Sequence, residues 1–450
     1  MRKSLKYPKA GPQNIAAMRS TGLEVMRTED YQHDAGWLPK SVVCLRYYNQ
    51  FRFRSDVRAS LIVTGQAFPV SIAIAIASGL PPIYGICCAA IAGLLASGLG
   101  ESRVRISAPS ILFVAVASGI VSKHGILGLS LSTLLAGIVL IFLAGAGLAV
   151  AVPFVPRAIV AGLSSGVAVL VVSGLVSDIF GFRPPLFLNG VRTGEVTIVQ
   201  KASLISPSAT IMAIAALALI LLFRKVSALI PASLIATVVG ALFGKFHLLP
   251  VQTIGSLFGS SMWLFRPFAS GSLRLDFLGA ILGPAFAIAI LSAFQSLEAM
   301  DLASGLAGER FSSKVELLVQ GVANVGSSLV GGLPISGSYI DTSTNVRGSC
   351  QTPAAGMLQS VFLLALFSVL APLVPFIPLP VVAAILVSNI LGLSYWREIR
   401  RIVRRSRSDA CAWLATALFT VATDLLTAVA VAMLIGMFLY IQGRTLNPEP

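Results

Sequence analysis

This 450-residue chain is poor in charge, and poorest in negative charge: charged residues make up 11% of it, with 18 Asp and Glu against 33 Lys and Arg. A soluble domain carries about a quarter charged residues, so a chain bathed in water on all sides is excluded. Only 3 histidines occur. His33, His124 and His247 fall in predicted loops, which leaves a histidine proton relay without support. The 5 cysteines, Cys44, Cys87, Cys88, Cys350 and Cys411, show neither metal-ligand spacing nor a disulfide framework. There is no phosphate-binding loop, and no nucleophile–base pair stands out, so neither an enzyme nor a bound cofactor is expected.

What the chain has is hydrocarbon. Hydrophobic residues reach 56%, gathered in runs such as 134–152, 209–223, 281–294, 361–374 and 425–441. Many approach the ~20 residues that cross ~30 Å of bilayer. The expected fold is an all-α polytopic protein embedded in lipid. Its net charge of +15 does not point to nucleic acid, because the basic residues cluster in short segments beside apolar runs. Arg397, Arg400, Arg401, Arg404, Arg405 and Arg407 form the densest group. By the positive-inside rule they mark a cytoplasmic loop. Arg183, Arg192, Lys201, Arg266 and Arg274 lie in outer loops and weaken the bias without reversing it. The expectation is a multi-pass protein of the cell's inner (plasma) membrane with both termini cytoplasmic. Residues 1–56 are polar with no early apolar core, so insertion begins with the first span rather than a signal peptide.

Breakers between the apolar runs divide the chain into two sets of seven segments. Residues 1–56 form a cytoplasmic segment, 57–245 a first seven-span repeat and 246–274 an extracytoplasmic connector. Residues 275–441 form the second repeat, followed by a cytoplasmic tail at 442–450. An odd number of spans per half makes the two halves inverted. In each half the third segment, 109–122 or 336–346, is short and opens on Pro, Gly and Ser. Ser107-Ala-Pro109-Ser110 and Pro334-Ile-Ser336-Gly337-Ser338 are such openings. A helix that starts at membrane depth aims unpaired N–H groups and a positive dipole end inward. Two such starts make a site for a small anion. The bland reading is ordinary capping, with any ligand elsewhere.

Polar groups at membrane depth add a second feature. Gln295, Glu298 and Asp341 are costly there and suit ion binding or relay. Thr342, Ser343 and Thr344 offer hydroxyl oxygens to a hard cation such as Na⁺, with Glu298 and Asp341 as its candidate carboxylates. The competing reading is an internal hydrogen bond between spans 8 and 10, or Glu298 at the water interface. Asp301 and Asp424 read as capping or structural residues.

In order along the chain, these phrases resemble the sulfate permease (SulP) family of anion transporters. Residues 56–85, Gly100-Glu-Ser-Arg103 with Ala108-Pro109, and Val160-Ala-Gly-Leu-Ser-Ser-Gly166 carry the first part. Glu316-Leu-Leu-Val-Gln-Gly-Val-Ala-Asn324, Gly331-Gly-Leu-Pro334, Thr344-Asn-Val-Arg347 and Thr352-Pro-Ala-Ala-Gly356 carry the rest. The resemblance implies a seven-plus-seven inverted repeat, a substrate between spans 3 and 10, a core moving against a gate, and a homodimer. The STAS domain common in the family has no counterpart within these 450 residues. Three spans depart from the family pattern. Polar residues of span 1 become Val70 and Ile74, with Gln66 one turn earlier as the remaining polar contact. A carboxylate on span 8 becomes Gln295, with Glu298 close by. An arginine in span 10 becomes Asp341. An anion 4 Å from an ionised Asp341 is repelled by about 4 kcal/mol at an effective dielectric of 20.

The expected function is therefore secondary active transport of a small sulfate- or bicarbonate-like anion with Na⁺ or H⁺ symport, by an elevator-type motion. Gln66, Ser107, Pro109, Ser110, Ser336, Gly337 and Ser338 are the candidate substrate residues; Gln295, Glu298, Asp341 and Thr342 are those for the coupling ion. A permease for a neutral nucleobase-like solute, or a channel or non-transporting membrane protein, is the alternative.

Overall fold

The computed structural model describes residues 39–423 except 47, 148–156, 182–204, 228, 264, 266–277, 309–310, 393–394 and 406. The expected last span at 425–441, the tail at 442–450, residues 1–38 of the expected cytoplasmic segment and all five outer-loop basic residues lie outside the described residues.

Helices dominate. A short α1 (Lys40–Leu45) precedes α2 (Gln50–Ala77) and α3 (Pro82–Leu99). Helix α2 begins seven residues before the expected first span, because Asn49 caps it by accepting from the Arg52 N–H at 2.9 Å. Apolar content marks where a helix enters lipid, whereas a cap marks where it begins. Pro82 starts α3 from its first turn, where a missing N–H costs nothing.

Strand β1 (Ser107–Pro109) and a 3₁₀ turn lead into α4 (Val114–Gly145). Helix α4 breaks at Gly125, whose φ of 68° and ψ of −169° are not helical. The break falls between the expected third and fourth segments. A Cβ there meets nothing within 4 Å, so the backbone angle and not crowding calls for glycine. Helices α5 (Arg157–Phe180), α6 (Pro207–Val226), α7 (Ala232–Lys245) and the short α8 (Ile254–Phe258) follow.

The second half runs through α9 (Leu278–Ala307), α10 (Ser313–Val330), β2 (Ile335–Gly337), α11 (Tyr339–Arg347) and α12 (Ala354–Leu370). It continues through α13 (Leu379–Gly392), α14 (Tyr395–Arg405) and α15 (Arg407–Ala422). Among the described residues, 7 helices are long and apolar enough to cross a membrane, and three shorter ones are apolar.

The helices sort into two packing groups. In one, α10 lies on α4 and α3, α9 on α4, and α12 on α2 and α3. In the other, α15 lies on α5 and α13 on α6 and α5, with α7 against α6. Helix α2 joins them through α7 and α13. Backbones touch where α4 crosses α10: a Cβ on Gly137 is 2.7 Å from the Gly321 carbonyl oxygen, and the reverse is also 2.7 Å. Such small-residue crossings replace the hydrophobic drive that lipid cannot supply.

Candidate functional site

Strands β1 and β2 pair antiparallel, with Ser107 opposite Gly337, Ala108 opposite Ser336 and Pro109 opposite Ile335. Extended backbone at membrane depth survives only when protein satisfies its N–H and C=O groups. Here it does. Asn324 bonds both ways with Ile335, accepting its N–H at 3.0 Å and donating to its carbonyl at 3.0 Å. Gln320 Nε2 also donates to that carbonyl at 2.7 Å. Ser296 Oγ takes the Gly337 N–H at 3.1 Å. Just before β1, Ile106 receives the Ser338 N–H at 2.8 Å and gives its own N–H to Thr342 Oγ1 at 3.1 Å.

This pairing corrects one detail of the expected site. Pro109 is the last residue of β1 rather than part of a helix, and Ser336 and Gly337 belong to β2. The helical turns start two and three residues later than expected, at Ile111 and Tyr339. Ser110 accepts from the Leu112 N–H at 3.3 Å at one start, and Ser338 accepts from the Asp341 N–H at 3.2 Å at the other. Both serines are half-buried, whereas Ser107 and Ser336 are buried.

Most of the remaining candidates are bound internally. Ser336 Oγ donates to Gln295 Oε1 at 2.9 Å, and Ser107 Oγ receives Arg105 Nη2 at 2.7 Å. Thr342, expected as a cation ligand, spends its hydroxyl on Ile106. Gly337, a candidate substrate residue, faces protein: a Cβ there would sit 2.7 Å from Ala299 Cβ and 3.0 Å from Ser296 Cα. Its small size lets β2 lie on α9. Half-buried Gln66 receives the Thr344 hydroxyl at 3.2 Å, which ties α2 to α11 beside the start.

Asp341 is buried, and Ser338 Oγ donates to its Oδ2 at 2.7 Å. Ser338 and Asp341 thus close a ring of two hydrogen bonds over the first turn of α11, where a carboxylate is favoured by the helix dipole. Glu298, three residues past buried Gln295, is exposed. Three residues turn a helix by about 300°, enough to carry it off the buried face.

Sequence alone gives no role to a further heavily bonded group. Arg105, buried beside β1, reaches Glu316 Oε2 at 2.7 Å, Glu316 Oε1 at 2.6 Å and Gln320 Oε1 at 2.7 Å. Its Nε lies 3.2 Å from where a Cβ on Gly337 would be. Arg105 Nε and Gln295 Nε2 are buried donors without a hydrogen-bond partner among the described residues. The available signal was the spacing of Glu316, Gln320 and Asn324, every fourth residue along one face of α10.

Comparison with known proteins settles the family. The model of the sulfate permease family matches residues 53–416. This chain belongs to the sulfate permease family. It is similar to YvdB of Bacillus subtilis, a candidate sulfate transporter, with 30% identity over 399 residues, 88% of this chain and 75% of that one. The bicarbonate transporter BicA of Picosynechococcus is 26% identical over 411 residues, 88% and 72% of the two chains. Among solved structures, the transmembrane domain of a cyanobacterial BicA superposes with a TM-score of 0.74 at 23% identity, covering 85% of this chain and 98% of that one. The murine anion transporter Slc26a9, inward-facing, gives 0.77 at 16% identity, covering 98% and 77%. The fold is shared with both, and the chain is a multi-pass membrane protein of a transporter family.

Proposed function

We propose that this chain is a secondary active transporter of a small inorganic anion, sulfate- or bicarbonate-like, driven by Na⁺ or H⁺ symport. The β1–β2 pairing carries the reading. It sets two helix starts against each other, with Ser110 and Ser338 half-exposed at them. First-turn N–H groups such as those of Tyr339 and Ile340 have no intrahelical acceptor and favour an anion. Ser110, Ser338 and Gln66 contact the substrate; Ser107, Pro109, Ser336 and Gly337 hold the two starts in register. Asp341 carries the coupling step, with Gln295 bracing Ser336 on the adjoining strand. Its charge repels an anion until Na⁺ or a proton neutralises it, so the two ions bind together.

In the same proposal the chain has fourteen spans in a seven-plus-seven inverted repeat, at 57–245 and 275–441, joined by an outer connector at 246–274. The packing group of α2–α4 and α9–α12 is the moving core, and that of α5–α7, α13 and α15 the gate. The protein works as a homodimer in the plasma membrane, with the segments 1–56 and 442–450 cytoplasmic. The sulfate and bicarbonate transporters among its relatives support the choice of anion.

Uptake of labelled sulfate and of labelled bicarbonate into proteoliposomes, with an imposed Na⁺ or pH gradient, tests this. Saturable uptake of one anion that follows one gradient is expected. Uptake of uracil or xanthine instead, or flux that neither saturates nor follows a gradient, overturns it.

A further inference from the structure

Helix α14 links the apolar helices α13 and α15 and packs on α5 and α15. Its sequence, Tyr395-Trp-Arg-Glu-Ile-Arg-Arg-Ile-Val-Arg-Arg405, separates an apolar arc from a basic one at 100° per residue. Among the described side chains of this helix, one edge of the apolar arc is used by the protein. Ile402 is buried against Ala158 and Ala161 of α5, with Ala412 and Trp413 of α15 beside it, and Ile399 is half-buried. Val403, the next residue around the arc, is 51% exposed. Arg400 and Arg404 are exposed one turn apart.

Two facts call for an outside partner. Like charges four residues apart destabilise an isolated helix, and Arg400–Arg404 is such a pair, with Glu398 as the helix's lone acid. An exposed valine beside that ridge also suits hydrocarbon more than water. A surface that offers a plane of negative charge directly above hydrocarbon meets both demands, and α14 joins the adjoining ends of two apolar helices, α13 and α15. An acidic protein supplies the charge without the apolar layer at that depth.

We propose that α14 is an interfacial helix whose Arg400 and Arg404 bind the phosphates of anionic membrane phospholipids while Val403 enters the acyl layer. Guanidinium forks match phosphate oxygens geometrically, and a basic amphipathic helix gains affinity from anionic lipid and buried apolar area together. Because Ile402 seats α14 on α5 and α15, bound lipid steadies that packing group at this end.

The test is thermal unfolding of the full chain in detergent, titrated with phosphatidylglycerol, phosphatidylcholine or inorganic phosphate. Phosphatidylglycerol should stabilise the protein saturably, with neither of the others matching it. In R400Q/R404Q the midpoint of that titration should rise about thirty-fold, at roughly one arginine's surface attraction per substitution. R400K/R404K should stay within a few-fold of the parent. Should the double variant not fold, R400Q alone should shift the midpoint the same way by about five-fold. An unchanged midpoint in the glutamine variants, equal stabilisation by phosphatidylcholine, or full stabilisation by inorganic phosphate overturns the proposal.

Discussion

Arg105 and Glu316 stand 211 residues apart in the chain, yet they are joined by contacts of 2.7 and 2.6 Å in the interior. The pair fastens the segment before β1 to α10, whose Gln320 and Asn324 hold Ile335 of β2. One helix face therefore fixes both strands. A buried pair of this kind adds little net stability over apolar packing, but breaking it leaves a charge stranded.

Arg105→Met should cost about 3–5 kcal/mol, read as a lowered unfolding temperature in detergent. The double variant R105M/E316L should regain most of that loss. A double variant no more stable than R105M would mean the arginine acts through packing alone.

At the two helix starts, Ser338→Leu should abolish anion binding, measured as anion-dependent thermal stabilisation of purified protein, and Ser110→Leu should do the same. Ser338→Ala separates the effects: it loses the cap, worth about 1 kcal/mol, together with the hydroxyl bond to Asp341, and leaves the space open. Unchanged anion affinity in Ser338→Leu would remove this turn from the site.

Asp341→Asn should make uptake independent of Na⁺ and of the proton gradient while anion binding persists. Asp341→Arg should go further and convert symport into uncoupled anion exchange. If Asp341→Asn keeps its cation dependence and Asp341→Arg loses anion binding, the carboxylate is a structural lock on Ser338 instead.

Gly337→Ala should destabilise by about 1–3 kcal/mol, because the added methyl meets Ala299 Cβ at 2.7 Å. The companion change Ala299→Gly should restore part of the loss. Without any rescue, the crowding argument for β2 on α9 fails.

A cysteine in place of Arg404, in a background without native cysteines, should react with an impermeant thiol reagent only after cells are permeabilised. Labelling from outside would reverse the proposed orientation.

The helices and the two starts were legible in the sequence because hydropathy, Pro and Ser act locally. Helix α3 opens on its proline, and the short segments open at Ser110 and Ser338 as capping chemistry suggests. The strands were not legible: three residues are too few for an alternating pattern, and their pairing joins distant parts of the chain. Arg105 was hidden for a related reason. Only the fold brings Glu316 to it, and in sequence it looks like one more loop arginine. Glu298 shows the reverse limit, since proximity to Gln295 in sequence did not place it on the same surface.

The ladder between Ser107 and Gly337 also bears on how the protein is made. Ser107 leaves the ribosome long before Gly337, and until β2 arrives the β1 backbone lacks the partners that lipid cannot replace. The first half therefore inserts without completing its own centre. Final assembly awaits the second half, and a chain cut short before Ser336 presents unsatisfied backbone that membrane quality-control proteases can read as a sign of incompleteness.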